Sequence, residues 1–138
     1  MPSYRLREAA DLLGVSDDTV RRWADSGRLA TGTDNAGRRV VDGVVLARFA
    51  ESNATTVPDI GPIERESARN RFVGLVTRVV RDTVMAQVEL QCGPYRVVSL
   101  MSREAADELG LQPGVRAIAS VKSTNVVVEV SAVRDNVG

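Results

Sequence analysis

The sequence predicts an α+β protein with two domains, a helical one followed by a β-rich one. Near the N-terminus, apolar residues recur at the i, i+3, i+4 and i+7 positions of an amphipathic helix, at Leu6, Ala9, Ala10 and Leu13. From Val73 to Val130 the apolar pattern has a period of two, which is typical of half-buried strands. A segment with two prolines and no sustained periodicity separates them. The expected boundaries are 1–52 for the first domain, 53–66 for the linker and 67–134 for the second domain.

The composition is that of a folded, soluble protein, with 43% hydrophobic and 26% charged residues. No stretch approaches the roughly 20 apolar residues that cross a bilayer, and the first residues contain no apolar signal core. Cys92 is the only cysteine, so an intrachain disulfide is excluded. We therefore expect a cytoplasmic protein that has no contact with a membrane.

The chain contains no histidine. A transition-metal site would therefore lack its commonest ligand, and general acid–base catalysis near neutral pH would lack its usual carrier. The sequence also shows neither a nucleophile–base pair nor a glycine loop for phosphate. We expect neither an enzyme nor a metal centre.

The formal net charge is zero, and the first 52 residues hold eight arginines and eight acidic residues. Overall charge therefore gives no sign of a nucleic-acid partner. Because binding to DNA depends on where arginines cluster, any DNA surface in this chain must be local.

The first domain has the pattern of a helix-turn-helix. A helix from Arg5 to Leu13 is expected to stop at Gly14, and Ser16 is a good N-cap for a second helix that ends at Gly27. In this arrangement the second helix enters the major groove of DNA. Val20, Trp23 and Ala24 would face the core. The side chains left for DNA are Asp17, Thr19, Arg21 and Arg22.

A turn at Asp34–Gly37, followed by a short strand with Arg38 and Arg39, predicts a β-hairpin that would serve as a wing. Both arginines are expected to contact phosphate, which positions a protein on DNA without reading its sequence. Asp42 would then cap a third helix, packed through Val45, Leu46 and Phe49.

This domain resembles the MerR and excisionase type of helix-turn-helix over about residues 4–51. The matching residues are Ala9 to Ser16 (AADLLGVS), Thr19 to Trp23 (TVRRW), Gly27-Arg28-Leu29 and the Gly37-Arg38-Arg39 wing. The resemblance implies binding of double-stranded DNA by the second helix and the wing. One neutral module offers few contacts, so tight binding would need more than one copy.

The second domain is expected to contain strands near 71–81, 83–91, 95–101, 115–122 and 125–131. Ser102 would cap a short helix over Arg103–Leu109, which Gly110 closes. Five strands with one short helix between the third and fourth predict a small five-stranded β-barrel of the OB type.

This domain resembles the molybdate-binding Mop or TOBE domain of molbindins and molybdate-responsive regulators over residues 67–131. The matching residues are Ser67-Ala68-Arg69-Asn70, Glu108 to Leu111, Pro113-Gly114 and Val121-Lys122-Ser123. The ligand that the resemblance implies is molybdate or tungstate. Molybdate is a tetrahedral dianion, so its site needs hydrogen-bond donors and one or two cations rather than metal-ligating groups.

The expected oxyanion-binding residues are Ser67, Ala68, Arg69, Asn70, Ser102, Lys122 and Ser123. The resemblance implies that Ser67 and Arg69 come from one subunit, and Ser102, Lys122 and Ser123 from its neighbour. The ligand would then lie at a subunit interface of a homo-oligomer, a dimer or a trimer of dimers. One departure from the family is Ala105, where many members have a second hydroxyl residue.

These features favour a molybdate- or tungstate-responsive, DNA-binding transcription regulator. Two alternatives stay open. The chain could store or buffer molybdate as molbindins do, or it could be an excisionase-like architectural factor whose barrel also contacts nucleic acid. The barrel region offers only Phe72 and Tyr95 as aromatic platforms for such contacts.

Overall fold

The computed structural model describes residues 2–54 and 69–131. These residues fall into two compact units, one for each range. Residues 55–66 of the expected linker lie outside the described residues, as do Ser67 and Ala68. The expected domain boundaries therefore stay predictions.

Unit 1 holds three helices and a small antiparallel sheet. Its elements are β1 (Ser3–Arg5), α1 (Leu6–Leu13), α2 (Asp17–Asp25), β2 (Gly32–Thr33), β3 (Arg39–Asp42) and α3 (Gly43–Ser52). The sheet order is β1-β3-β2, with β3 in the centre. The three helices were expected. Strand β1 was not, because its apolar content is too low to show a strand pattern; it is fixed by pairing Ser3 with Asp42.

The core of unit 1 is built from small and branched side chains: Ala9, Ala10, Val20, Leu29, Val41 and Leu46. Ala9 and Ala10 are completely buried, which lets α1 approach its neighbours closely. Trp23 packs against this core, with its ring centroid 5.1 Å from that of Phe49. The expectation that Trp23 belongs to the core is confirmed.

The third helix begins as predicted. The carboxylate of Asp42 accepts hydrogen bonds from the backbone N–H groups of Val44 and Val45, at 3.1 and 3.3 Å. These donors have no partner inside the helix, so a side-chain cap stabilises its start. Leu46 is then buried, while Val45 and Phe49 pack beside it.

Unit 2 is a curled antiparallel sheet with one short helix. Its elements are β4 (Asn70–Arg81), β5 (Met85–Cys92), β6 (Tyr95–Ser102), α4 (Arg103–Glu108) and β7 (Arg116–Val121), followed by a 3-10 turn (Ser123–Asn125). The sheet order is β6-β5-β4-β7. The first four predicted strands and the helix are confirmed to within two residues at each end.

The predicted fifth strand, 125–131, is wrong for the single chain. Residues 126–131 form no strand, and Val127, Val128 and Val130 are 81%, 83% and 85% exposed. The period-two pattern shows that the side chains of this segment suit a strand. It does not show that another strand of the same chain is available to pair with it. The described sheet therefore has four strands and stays open between β6 and β7.

One glycine lets the sheet curl. The first half of β4 pairs with β7 and the second half with β5, and the two pairings overlap at Leu75. A side chain at Gly74 would place its Cβ 2.4 Å from the carbonyl oxygen of Gln91 and 2.6 Å from Sγ of Cys92. Only glycine lets β4 lie this close to β5.

The same crowding encloses the only cysteine. Cys92 is buried in the core of unit 2 with Val76, Val88, Leu90 and Leu111. Its Sγ lies 3.8 Å from the carbonyl oxygen of Phe72. Burial raises the pKa of the Cys92 thiol above its ordinary value, because the thiolate would lose its hydration.

Gly74→Ala should destabilise the protein by about 1–3 kcal/mol or more, since an added methyl overpacks a site bounded by backbone. Gly32→Ala is the control, because a Cβ at Gly32 meets nothing within 4 Å. The free energy of unfolding from urea titration measures both changes. Equal, small effects for the two variants would show that β4 can move away from β5 without cost.

Candidate functional site

Helices α1 and α2 form the expected helix-turn-helix. Gly14 ends α1 in the left-handed conformation, with a φ of 69°. The chain then turns within three residues, and Oγ of Ser16 accepts a hydrogen bond from the N–H of Thr19 at 3.2 Å. This cap fixes the start of α2, as predicted from Ser16.

Helix α2 presents the residues that were expected to face DNA. Val20 and Ala24 are buried on one side, and Arg21 and Arg22 are exposed on the other. The side-chain guanidinium of Arg22 donates to Oγ1 of Thr19 at 3.3 Å, so these two lie together near the first turn. Asp17 is half-buried in that turn, where the helix dipole favours a carboxylate.

The hairpin β2–β3 forms where the wing was expected. The carboxylate of Asp34 accepts hydrogen bonds from the N–H groups of Ala36 and Arg38, at 2.9 and 2.8 Å, and Gly37 has a φ of 75°. These contacts close a tight turn. The hairpin is therefore present, while its role as a DNA-contacting wing stays a prediction.

The two arginines of the hairpin differ. Arg38 is exposed and lies just before the strand, so β3 carries one arginine rather than the two expected. Arg39 donates to the carboxylate of Asp25 at 2.6 Å and to Oγ1 of Thr31 at 3.2 Å. Its guanidinium is thus held against the end of α2. Because both partners are well exposed, this ion pair is weak, about 0.2–1 kcal/mol.

In unit 2, several predicted oxyanion-binding residues meet at the start of β4. The pairing brings Asn70 opposite Val121 and Arg71 opposite Ser120. Side chains directly opposite each other in an antiparallel pair lie on the same face, and so do residues two apart on one strand. The next residues beyond the last pair are Arg69 and Lys122. We call Arg69, Arg71, Ser120 and Lys122 the cationic end.

Asn70 supports this end from within the sheet. Its Nδ2 donates to the carbonyl oxygen of Val121 at 3.2 Å, which ties the start of β4 to the end of β7. This contact holds the chain, and the expected role of Asn70 at the anion stays a prediction. Ser123 begins the 3-10 turn directly after Lys122.

Arg71 was not among the predicted residues. Its Nε is inaccessible to solvent and has no hydrogen-bond partner within the part of the chain that the structure describes. A buried donor is costly to leave unpaired, so Nε of Arg71 is suited to donate to an acceptor such as an anion at this position. The sequence held a signal for it, because Arg71 lies two residues after Arg69 and therefore on the same face of a strand.

The cationic end also lacks acidic neighbours in sequence, since residues 69–73 and 119–125 contain no Asp or Glu. Three arginines elsewhere in unit 2, Arg81, Arg96 and Arg103, have carboxylate partners. Arg96 pairs with Glu89 and lowers the pKa of that carboxyl, while Arg81 pairs with Asp107 at 3.0 Å. The cationic end therefore combines several cations with no acidic residue near them in the sequence, which favours an anion there.

Ser102 lies at the other end of the sheet. It pairs with Met85, next to the last residues of β4, and its Oγ accepts a hydrogen bond from the N–H of Ala105 at 3.1 Å. The twelve residues of β4, at roughly 3.3 Å each, separate this end from Arg69. Ser102 and Arg69 of one chain therefore cannot hold the same tetrahedral anion.

The surroundings of Ser102 are acidic. A shallow cavity there is lined by Ser102 and Arg103 together with Glu104, Asp107 and Glu108. Backbone hydrogen bonds from Met85 and Val84 lower the pKa of the nearby Asp82, which keeps that carboxylate charged. Ser102 can donate its hydroxyl proton to an anion, but the one cation in this lining, Arg103, is paired with Asp107 at 3.7 Å.

Among the described residues, no helix has the length and apolar character needed to cross a membrane.

Comparison with known families gives one match to each unit. Residues 3–54 match a helix-turn-helix domain, and residues 66–128 match the TOBE domain.

Three relatives show the extent of these matches. The molybdenum-pterin-binding protein MopB of Rhodobacter capsulatus is 33% identical over 124 residues, which is 89% of this chain but only 41% of MopB. Molybdenum-pterin-binding protein 2 of Clostridium pasteurianum is 36% identical over 63 residues, 45% of this chain and 93% of the relative. The molybdenum transport protein ModE of Herbaspirillum seropedicae is 38% identical over 64 residues, 46% of this chain and 24% of ModE.

Solved structures match unit 2. MopII of Clostridium pasteurianum has 34% sequence identity and a TM-score of 0.45, covering 48% of this chain and all of MopII. The cytoplasmic molybdate-binding protein ModG, with molybdate bound, has 39% identity and a TM-score of 0.44, covering 46% of this chain and 45% of ModG.

Proposed function

This chain belongs to the TOBE-domain family of molybdenum-pterin-binding proteins, and from that premise we propose that it is a DNA-binding transcription regulator that responds to molybdate or tungstate. One observation carries the proposal. The same chain joins a helix-turn-helix domain to a TOBE domain in which β4 and β7 place three cations on one face at one end of the sheet. It is a binding protein and not an enzyme.

The cationic end supplies the anion site. Arg69, Arg71 and Lys122 provide charge, and Ser120 provides a hydroxyl on the same face. Charge-assisted hydrogen bonds of this kind are about twice as strong as neutral ones. Ser123 and the predicted Ser67 and Ala68 would add hydroxyl and backbone donors. Sulfate has the same charge and shape but is smaller, so discrimination would depend on cavity size.

The separation of Ser102 from Arg69 supports a site shared between subunits. The resemblance to the family implies both residues at the anion, and they lie at opposite ends of β4 in one chain. A neighbouring copy that presents Ser102 to the cationic end satisfies both conditions. Arg69 and Lys122 each follow directly on the last pair of β4 and β7, Asn70 and Val121, so we propose that these two act from the same subunit and Ser102 from the other.

The DNA face is formed by α2 and the hairpin. Arg21, Arg22 and Arg38 are exposed there, and Arg39 becomes available when its weak ion pair with Asp25 opens. Few cations in each copy mean that an assembly with several copies would bind DNA far more tightly than one. Anion binding between subunits would then be linked to DNA binding through assembly.

Isothermal titration with molybdate, tungstate and sulfate tests the anion site. We expect heat of binding from molybdate and tungstate only. In a separate gel-shift assay, we expect the protein concentration at which half of the DNA is bound to change when molybdate is added. Equal weak binding of all three anions would overturn molybdate sensing. Molybdate binding without any salt-dependent DNA shift would instead identify a storage or buffering protein. If Arg69→Ala and Lys122→Ala weakened DNA binding in the absence of molybdate, the result would favour an excisionase-like architectural factor whose barrel contacts nucleic acid.

Arg71→Ala should weaken molybdate binding roughly tenfold or more, because it removes a charge-assisted hydrogen bond. Arg78→Ala is the matched control, since Arg78 is an exposed arginine of the same strand at a distance from the cationic end. Isothermal titration of both variants gives the comparison. If the two variants bound molybdate equally well, Arg71 would have no place in the site.

Asp25→Asn should strengthen DNA binding up to about fivefold, because Arg39 no longer has to leave a carboxylate before it contacts phosphate. Asp11→Asn removes the same charge from an exposed position in α1 and serves as the control. Fluorescence anisotropy at constant salt measures both dissociation constants. An identical gain in the two variants would mean that only net charge had changed and that Arg39 does not reach DNA.

A further inference from the structure

The polar side chains of α2 leave the helix in different directions. The buried side of α2 is centred midway between Val20 and Ala24. At about 100° of rotation per residue, Arg22 points about 180° from that centre and Asp18 about 140° from it. Arg21 lies only about 80° from the centre, on the flank of the helix. Arg22 and Asp18, both exposed, therefore point most directly away from the core of unit 1.

A chain of hydrogen bonds holds Arg22 near the first turn of α2. Its Nη2 donates to Oγ1 of Thr19 at 3.3 Å, and the hydroxyl oxygens of Thr19 and Ser16 are 2.9 Å apart. A guanidinium can only donate, so Thr19 accepts from Arg22 and can donate its own hydroxyl proton to Ser16. Ser16 is fixed in turn as the cap of α2, because its Oγ accepts from the N–H of Thr19. The guanidinium is thus oriented in the free protein, which lowers the entropy lost on binding.

Asp18 lies four residues before Arg22 and is its neighbour on the same face of the helix. In the part of the chain that the structure describes, neither side chain forms an ion pair. Asp25, the other exposed acid of α2, instead holds Arg39 at 2.6 Å. A carboxylate that faces DNA repels the phosphates, so Asp18 weakens binding unless a base donates a hydrogen bond to it. This face therefore places an oriented guanidinium beside a hydrogen-bond acceptor.

Base edges in the major groove match these two groups. Guanine presents the acceptors O6 and N7 to a guanidinium, and the amino group N4 of cytosine donates to a carboxylate. We propose that Arg22 reads a guanine and Asp18 a cytosine amino group, and that Thr19 is a positioning residue for Arg22. Arg21, on the flank, contacts phosphate and carries no sequence information. The inference rests on the proposed binding of DNA and names the bases that α2 reads.

Selection of duplexes from a random DNA pool by the full chain tests this assignment, and the parent should enrich sites that contain G·C pairs. Fluorescence anisotropy at constant salt then compares the enriched duplex with duplexes in which one G·C pair is replaced by A·T. Arg22→Ala should lower the preference for G·C at one position about tenfold or more, because the contact with guanine is lost. Arg21→Ala removes the same charge from the flank and should weaken binding to all duplexes alike.

A nearly isosteric variant guards against misfolding. The side-chain amide of Asn pairs best with adenine, so Asp18→Asn should enrich a site in which one cytosine is exchanged for adenine. Asp11→Asn removes the same charge from an exposed position in α1 and should enrich the site of the parent. Thr19→Val should lower the preference for G·C severalfold, and Thr19→Ser should restore it, because only the hydroxyl orients Arg22.

The assignment of bases is overturned if Arg22→Ala and Arg21→Ala change the preference equally, or if Asp18→Asn enriches the site of the parent. It is also overturned if the parent binds DNA in a salt-dependent manner but enriches no sequence. The positioning role is overturned if Thr19→Val keeps the preference of the parent. Absence of any DNA binding would overturn the proposed function itself.

Discussion

Strand β4 organises unit 2 because it pairs with two different strands, one along each half of its length. Its first half pairs with β7 and its second half with β5, and the change of partner takes place around Gly74 and the irregular register between Val76 and Arg78. The absence of a side chain at Gly74 lets β4 pass close to the end of β5, where a Cβ would lie 2.4 Å from the carbonyl oxygen of Gln91. The curl of the sheet, the enclosed core and the position of the cationic end all follow from this single strand.

The register of β4 against β7 has a chemical result as well. It brings Arg69 and Lys122, which are far apart in sequence, to the same end of the sheet and adds Arg71 to their face. Spacing along the chain could identify the first two only through resemblance to a family, because long-range register is not a local property. Arg71 could be inferred from strand parity, but its buried Nε became evident only from the packing.

Local signals predicted most of the fold. Ser16, Gly14 and Asp42 mark helix ends through contacts with the nearest backbone groups, and such contacts are independent of the rest of the chain. The four strands of unit 2 were also predictable, since each carries its own alternation. The fifth strand could not be settled in this way, because an alternating pattern shows that a segment suits a strand but does not identify the strand edge with which it would pair. The ion pair between Arg39 and Asp25 could not be predicted from the sequence either. The two residues are 14 positions apart and come into contact only when the hairpin folds.

The enclosure of Cys92 has a practical consequence for spectroscopy. Its thiol is buried behind Gly74 and its pKa is raised, so the reactive thiolate is scarce at neutral pH. Since Cys92 is the only cysteine of the chain, thiol-directed dyes or spin labels will attach preferentially to a cysteine introduced at an exposed position. The native background therefore suits single-site labelling, and distances between copies can be measured without first removing a natural thiol.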